Sequence, residues 1–186
     1  MRRLKTSVKF GTKGQDKTQK IKVPRTIEGT IFELTFLVGA AVVWLLVLIM
    51  LSNAPDVIAT HFDGNGRPNG YGSPWGLLFP CIITTVTGVG LLIGAYFPHR
   101  INVPVSVYTP RQYELLIRMV RIAALLFLLM TLAIPATAIV LEGSSAWPIL
   151  SIVGLLMVVI IYYCVKIHRE NPSGSPCEGE KEADTL

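Results

Sequence analysis

The sequence predicts an all-α integral membrane protein with four transmembrane helices. Of its 186 residues, 51% are hydrophobic and only 16% are charged, and the mean hydropathy is +0.53. A soluble domain carries about 25% charged residues, so this composition indicates lipid surroundings. The length suits one compact unit and leaves no room for a large enzyme domain beside the membrane part.

Four uncharged stretches are long enough to cross a bilayer, which takes about 20 apolar residues. They are residues 34–55, 75–97, 122–141 and 146–165. The first begins too late and runs too long for a signal peptide, so we expect it to stay in the mature protein. The sequence thus divides into a basic tail (1–30), a membrane domain (31–167) and a polar tail (168–186).

The distribution of Lys and Arg predicts the orientation of these spans. Nine of the 17 basic residues precede position 26, and the loop from 98 to 121 holds four, whereas the loop from 56 to 74 holds only Arg67. Basic loops stay in the cytoplasm. We therefore expect both tails and the middle loop inside, the 56–74 loop outside, and a multi-pass location in the cell membrane. The basic excess belongs to a tail, so the expected partner is the lipid bilayer and not nucleic acid.

The predicted outer loop is the one segment dense in polar and glycine residues. Glycine and Asn at this density favour tight, partly left-handed turns, which predicts a structured hairpin-like loop. Its candidate functional or structural motif comprises nine residues: His61, Phe62, Asp63, Asn65, Gly66, Asn69, Gly70, Tyr71 and Gly72.

The neighbouring residues limit which metal-binding or catalytic roles this loop could have. Asp63 begins a run similar to a calcium loop, but Pro68 stands where an EF-hand needs glycine and Pro74 where it needs the bidentate acid. His61 and Asp63 could form a weak metal site or a base and its orienting group. No phosphate loop or zinc-protease motif accompanies them. We therefore predict no metal, no cofactor, no catalytic residue and no enzyme activity.

The middle loop contains a well-formed helix start. Thr109 can cap the helix and Gln112 stands where a capping-box partner belongs. Beyond it a charged stripe follows helical spacing. The stripe consists of Arg111, Glu114, Arg118 and Arg121. The pattern favours a solvated face; binding of an acidic cytoplasmic partner or of lipid headgroups is the alternative.

Small residues and prolines within the spans give three further expectations. Gly88, Gly90 and Gly94 lie close together in the second span, and the spacing of Gly90 and Gly94 predicts a face for close helix packing, within the bundle or between subunits. Pro135 lies inside the third span and should kink it. Cys81 is expected to be a small apolar filler.

The loop and its flanking spans resemble a known family. A span followed by Pro, His61-Phe62, Gly66 and Gly70-Tyr71-Gly72-Ser73, and then a second span, resembles the bacterial family called domain of unknown function 1648. The resemblance extends over about residues 34–141. It implies kinship with immunity and signalling proteins of the sporulation delaying peptide toxin system. That family often has Asp where Asn69 stands, so the resemblance transfers no ion pair or metal to this loop.

Three functions follow as hypotheses. The resemblance implies a binding, sensing or immunity-like protein whose outer loop meets a peptide or toxin and whose charged stripe meets a cytoplasmic regulator. Phe62, Tyr71 and Trp75 would then form the docking surface, although Tyr and Trp here are also typical membrane-interface anchors. The alternatives are a transporter or channel subunit, disfavoured by spans without ionisable centres, and a membrane enzyme using His61.

Overall fold

A computed structural model describes residues 26–105, 107, 109–141 and 146–170. The chain forms helix α1 (Ile27–Ser52), strands β1 (Ile58–Phe62) and β2 (Pro68–Gly72), and helix α2 (Leu78–Gly94). Helix α3 (Pro110–Pro135) continues as a π-helical turn (Ala136–Val140), and helix α4 (Trp147–Arg169) follows. Short 3₁₀ turns at Pro74–Leu77 and Pro98–Arg100 flank α2. All four helices have the length and apolarity to cross a membrane, which confirms that prediction.

The helix bounds correct the predicted ones. Helix α1 begins at Ile27, because Thr26 caps it by accepting the amide proton of Gly29, so it starts inside the segment predicted as tail. Helix α3 begins at Pro110, which confirms the predicted helix start and the capping box of Thr109 and Gln112, and it runs without a break into the span predicted from residue 122. Residues 1–25 and 171–186 lie outside the described part of the chain, so the predicted tails are not described further.

Helix α3 is the centre of the bundle. The first core cluster packs α1 and α2 against its carboxyl-terminal half, around Val47, Leu51, Cys81 and Leu128. The second packs its amino-terminal half against the end of α4, where Leu115 and Ile167 are buried. No residue in the apolar window of α4 is buried within the chain. Most of α4 therefore presents apolar side chains to its surroundings.

A buried polar network joins α1, α2 and α3 at Pro135. Proline has no amide proton, so the carbonyl of Thr131, four residues earlier, loses its helical partner. The Cys81 thiol lies 3.5 Å from that carbonyl oxygen and donates to it. The Thr131 hydroxyl lies 2.9 Å from that of Thr84 and 3.3 Å from that of Thr85. Cys81 is thus a hydrogen-bond donor and not only an apolar filler.

The same network reaches α1 through a tryptophan. The indole Nε1 of Trp44 donates to the Thr85 hydroxyl at 3.2 Å. Polar groups in hydrocarbon need partners within the protein, and here three helices provide them to one another. Beyond Pro135 the helix widens into the π-helical turn, so the proline ends the regular α-helix.

Within the chain, Gly90 and Gly94 do not form the predicted packing face. Side chains built at Gly90 and Gly94 would meet nothing within 4 Å. The close approach is at Gly88, where an added Cβ would lie 2.9 Å from the Phe36 ring and 3.2 Å from the carbonyl oxygen of Ala124. The glycine spacing indicated a small-residue face, but the position of α1 and α3 decides which glycine is needed.

We predict that Thr131→Val destabilises the protein by about 1 kcal/mol, because the substitution removes the hydroxyl shared by Thr84 and Thr85. Thr87→Val is the matched control, since the exposed Thr87 hydroxyl bonds only to Ile83 of its own helix. Thermal unfolding in detergent measures both. Equal melting temperatures for the two variants would contradict a stabilising role for the network.

Candidate functional site

The α1–α2 loop forms an antiparallel β-hairpin, which confirms the predicted hairpin-like loop and corrects the expectation of an all-α chain. Strands β1 and β2 pair from Ile58 with Gly72 to Phe62 with Pro68, with irregularities on both sides of His61. At the tip the Asp63 amide donates to the carbonyl of Arg67 at 2.8 Å, and the Gly66 amide donates to that of Asp63 at 2.9 Å. Gly66 has φ of 77°, a left-handed conformation that glycine adopts without strain.

The Asp63 carboxylate holds the hairpin tip. Its Oδ1 accepts the amide protons of Arg67 at 2.8 Å and Asn65 at 2.9 Å. The pKa of Asp63 lies below its ordinary 3.8, mainly because the carboxylate accepts the Arg67 amide proton. The Asn65 amide and the positive charge of Arg67 lower this pKa further. Hydrogen bonds to the charged form of a carboxyl lower its pKa. Asp63 therefore acts within its own turn.

His61 makes its contact across the hairpin. Its Nδ1 lies 2.5 Å from the Asn69 carbonyl oxygen Oδ1. An amide oxygen only accepts, so the imidazole donates this bond from Nδ1. A Cβ added at Gly70 would lie 2.9 Å from the Cβ of His61, so the glycine leaves room for the histidine. The expectation that His61 and Asp63 act as a pair is therefore replaced by two separate interactions, His61 with Asn69 and Asp63 with the tip amides.

The hairpin is fastened to the bundle at its base and at its tip. Ile58 and Ala59 are buried, and Ile58 belongs to the core cluster that includes Ala138 of the π-helical turn. At the tip the amide of Ala146 donates to the carbonyl of Gly66 at 3.1 Å. The hairpin therefore lies against the end of α3 and the start of α4 and is not a free loop.

An apolar cleft lies between the hairpin and the end of α3. Its volume is about 150 Å³. The lining residues are Pro55, Val57, Ile58, Ala59, Tyr71, Ala138 and Ile139. Val57 is 64% exposed and Tyr71 is 67% exposed. Of the predicted docking residues, Tyr71 lines this cleft, Trp75 is exposed on the following 3₁₀ turn, and Phe62 is half-buried.

The charged stripe is divided at the other end of the bundle, so the prediction of one solvated face is wrong. Arg111 and Glu114 form an exposed pair at 3.1 Å. Arg118 instead crosses to Glu28 of α1, with its Nε 2.8 Å from one carboxylate oxygen and its Nη2 2.9 Å from the other. Arg121 is buried. Glu28, Arg118 and Arg121 form what we term the charged end.

Two further polar contacts at that end were not predicted from the sequence. The buried Gln112 side chain donates from Nε2 to the carbonyl of Ile167 at 3.0 Å, which joins the start of α3 to the end of α4. The Tyr96 hydroxyl donates to Glu33 of α1. The capping-box position of Gln112 and the span-edge position of Glu33 were visible in the sequence, but their distant partners were not.

Among the described residues, His, Cys, Asp and Glu form no group of three that could hold a metal ion. His61 and Asp63 use their polar atoms within the hairpin, as described above. The residues predicted as the motif therefore come together as one folded hairpin, which presents the apolar cleft and the exposed side chain of His61.

Comparison with known proteins finds similarity over this part of the chain. Residues 38–85 match the family described as Domain of unknown function (DUF1648), a stretch that covers most of α1, the whole hairpin and the start of α2. An uncharacterized protein of Archaeoglobus fulgidus is 32% identical over 76 residues, which is 37% of this chain and 42% of that relative. No solved structure matches the chain.

We predict that the amide proton shifts of Asn65 and Arg67 titrate with a midpoint below 3.8, because their acceptor is the Asp63 carboxylate with a lowered pKa. A lowered pKa means that this carboxylate stabilises the folded tip above pH 3.8 and that the contribution disappears as the pH falls through the lowered pKa. Nuclear magnetic resonance of the protein in micelles measures the shifts. Asp63→Ala should abolish the transition; its persistence in that variant would assign it to another group.

The helix–hairpin–helix segment of this chain is thus similar to the family described as Domain of unknown function (DUF1648).

Proposed function

We propose that this chain is a multi-pass membrane protein that binds an apolar peptide segment at the cleft between its hairpin and the end of α3. In this proposal both tails and the charged end face the cytoplasm and the hairpin faces the opposite side. The distribution of basic residues supports the orientation. The four spanning-length helices support the location in a bilayer.

The observation that carries the binding role is the cleft itself. It is apolar, it opens at the membrane boundary in the proposed orientation, and its rim exposes Val57 and Tyr71 beyond half of their surfaces. Aromatic side chains supply large contact area with few rotatable bonds, which suits a binding surface. A peptide that inserts into the bilayer would present apolar side chains at this depth.

The cleft also touches the helix that carries the charged end. Ala138 and Ile139 line the cleft from the π-helical turn, and α3 continues from there to Arg121 and Arg118. Occupation of the cleft would act directly on α3. This continuity supports the further proposal that a cytoplasmic regulator senses the position of α3. By analogy with the toxin-immunity family, we propose that the peptide is a membrane-active toxin.

A transporter or channel subunit is the second candidate. The hydroxyl cluster of Thr84, Thr85 and Thr131 within the spans supports it, because polar groups at membrane depth are kept where they serve packing or a pathway. Loss of protection against a toxin through Thr131→Val, with the cleft intact, would favour this candidate over binding. The third hypothesis, an enzyme using His61, would require activity that His61→Ala abolishes while peptide binding remains.

We predict that a cysteine at Asn65 is labelled by a membrane-impermeant maleimide added to intact cells, and that one at Asn102 is labelled only after lysis. Asn65 is exposed at the hairpin tip and Asn102 is exposed between α2 and α3. Both variants are made in a chain whose native cysteines are replaced by Cys81→Ser, Cys164→Ala and Cys177→Ala. The serine hydroxyl keeps a donor for the Thr131 carbonyl. The reverse labelling pattern would overturn the proposed orientation.

We predict that cells expressing this chain survive the sporulation delaying peptide toxin better than cells with an empty vector. Tyr71→Ala should reduce survival at least about fivefold, because truncating a binding anchor costs about 1 kcal/mol or more. Phe79→Ala is the matched control, since Phe79 is 72% exposed on α2 and does not line the cleft. Survival curves measure the effect, and immunoblots confirm equal membrane levels. No protection by the wild type, or equal loss in both variants, would contradict the proposal.

A further inference from the structure

Arg121 is a buried cation for which the described residues provide no acceptor at Nη2. The residue is 4% exposed, and its Nη2 has no hydrogen-bond partner among the described residues. A guanidinium cannot lose its charge in a protein, and a buried charge that lacks a partner is strongly destabilising. This arrangement therefore indicates a group that the described residues do not supply.

The guanidinium lies on the first turn of α1. A Cβ built on Gly29 would lie 2.5 Å from Nη2 of Arg121, so only glycine leaves this position to the guanidinium. Thr26 takes up the amides of Gly29 and Thr30. Within the described residues the amides of Ile27 and Glu28 have no acceptor, because they precede the first intrahelical donor.

The positive start of α1 and the Arg121 guanidinium thus lie together, with no negative group of the described residues between them. The start of a helix carries a partial positive charge, and Arg121 adds a full one. Glu28, which lies on the same turn of α1 as Gly29, is already bound through both carboxylate oxygens by Arg118. The Glu33 carboxylate on the next turn accepts from Tyr96. An external anion would satisfy both the guanidinium and the free amides of α1.

We propose that Arg121 and the first turn of α1 bind a phosphate group, carried by a phospholipid headgroup or present as the free ion. Guanidinium groups match the spacing of phosphate oxygens, and amides at a helix start point at bound phosphate. The first turn of α1 is the end of a helix that is long and apolar enough to cross a bilayer, and in that position it would lie at the depth of the headgroups. This site is separate from the peptide cleft and does not depend on it.

The test uses the full chain in dodecyl maltoside micelles, with the melting temperature followed by tryptophan fluorescence. The probes are inorganic phosphate, dioleoylphosphatidylglycerol and dioleoylglycerol, which has the same acyl chains and no phosphate. We expect phosphate or phosphatidylglycerol to raise the melting temperature and dioleoylglycerol not to do so. Stabilisation by phosphatidylglycerol alone assigns the lipid headgroup; stabilisation by inorganic phosphate assigns the free ion.

Two variants and a control separate this site from attraction to the basic tail. Arg121→Gln should raise the half-saturating concentration at least about tenfold, since a hydrogen bond to a charged group contributes 1.5–3 kcal/mol. Arg111→Gln removes the same charge from the exposed pair and should leave binding unchanged. Both variants retain the basic tail, so its contribution is common to them.

Gly29→Ala keeps the proposal testable if Arg121→Gln does not fold. The added methyl group would lie 2.5 Å from Nη2 of Arg121, whose flexible side chain can move away from the amides, and 3.3 Å from Oγ1 of the capping residue Thr26, which needs to shift by only a few tenths of an ångström. We expect the same weakening of phosphate binding. The proposal is overturned if neither phosphate probe stabilises the wild type, or if Arg121→Gln or Gly29→Ala binds as the wild type does.

Discussion

The structure depends on one constraint, which is that a backbone carbonyl at membrane depth needs a partner from the protein. Pro135 leaves the carbonyl of Thr131 without its helical amide, and the Cys81 thiol of α2 takes that place. At the same point the Thr131 hydroxyl bonds to the hydroxyls of Thr84 and Thr85. The break in α3 therefore fixes how α2 packs on it, and Trp44 extends the contact to α1.

Because α3 is held in this way, it can support different structures at its two ends. The π-helical turn after Pro135 carries Ala138, on which Ile58 of the hairpin packs. At the opposite end the capping-box residue Gln112 binds the carbonyl of Ile167, and Arg118 binds Glu28. A peptide in the cleft and a phosphate at the charged end would both act on the same helix.

The two ends differ in how their polar groups are satisfied. In the hairpin, Asp63 binds the tip amides and His61 binds Asn69, so these polar groups find their partners within the motif. The apolar cleft is then the surface left for binding. At the charged end Arg118 has both oxygens of Glu28, whereas Arg121, one helical turn later, has no acceptor among the described residues. We infer peptide binding at the first end and phosphate binding at the second from this difference.

The sequence by itself determined what depends on composition and local spacing. It predicted four spanning helices, a hairpin rich in glycine and the capping box at Thr109, because apolar length, turn residues and capping positions act within a few neighbouring residues. Tertiary structure decided which glycine lies at a helix contact, that Arg121 is buried and that His61 bonds to Asn69. The contacts at Gly88 and Arg121 join different helices, and that of His61 depends on a register changed by strand irregularities, so no local pattern specifies them.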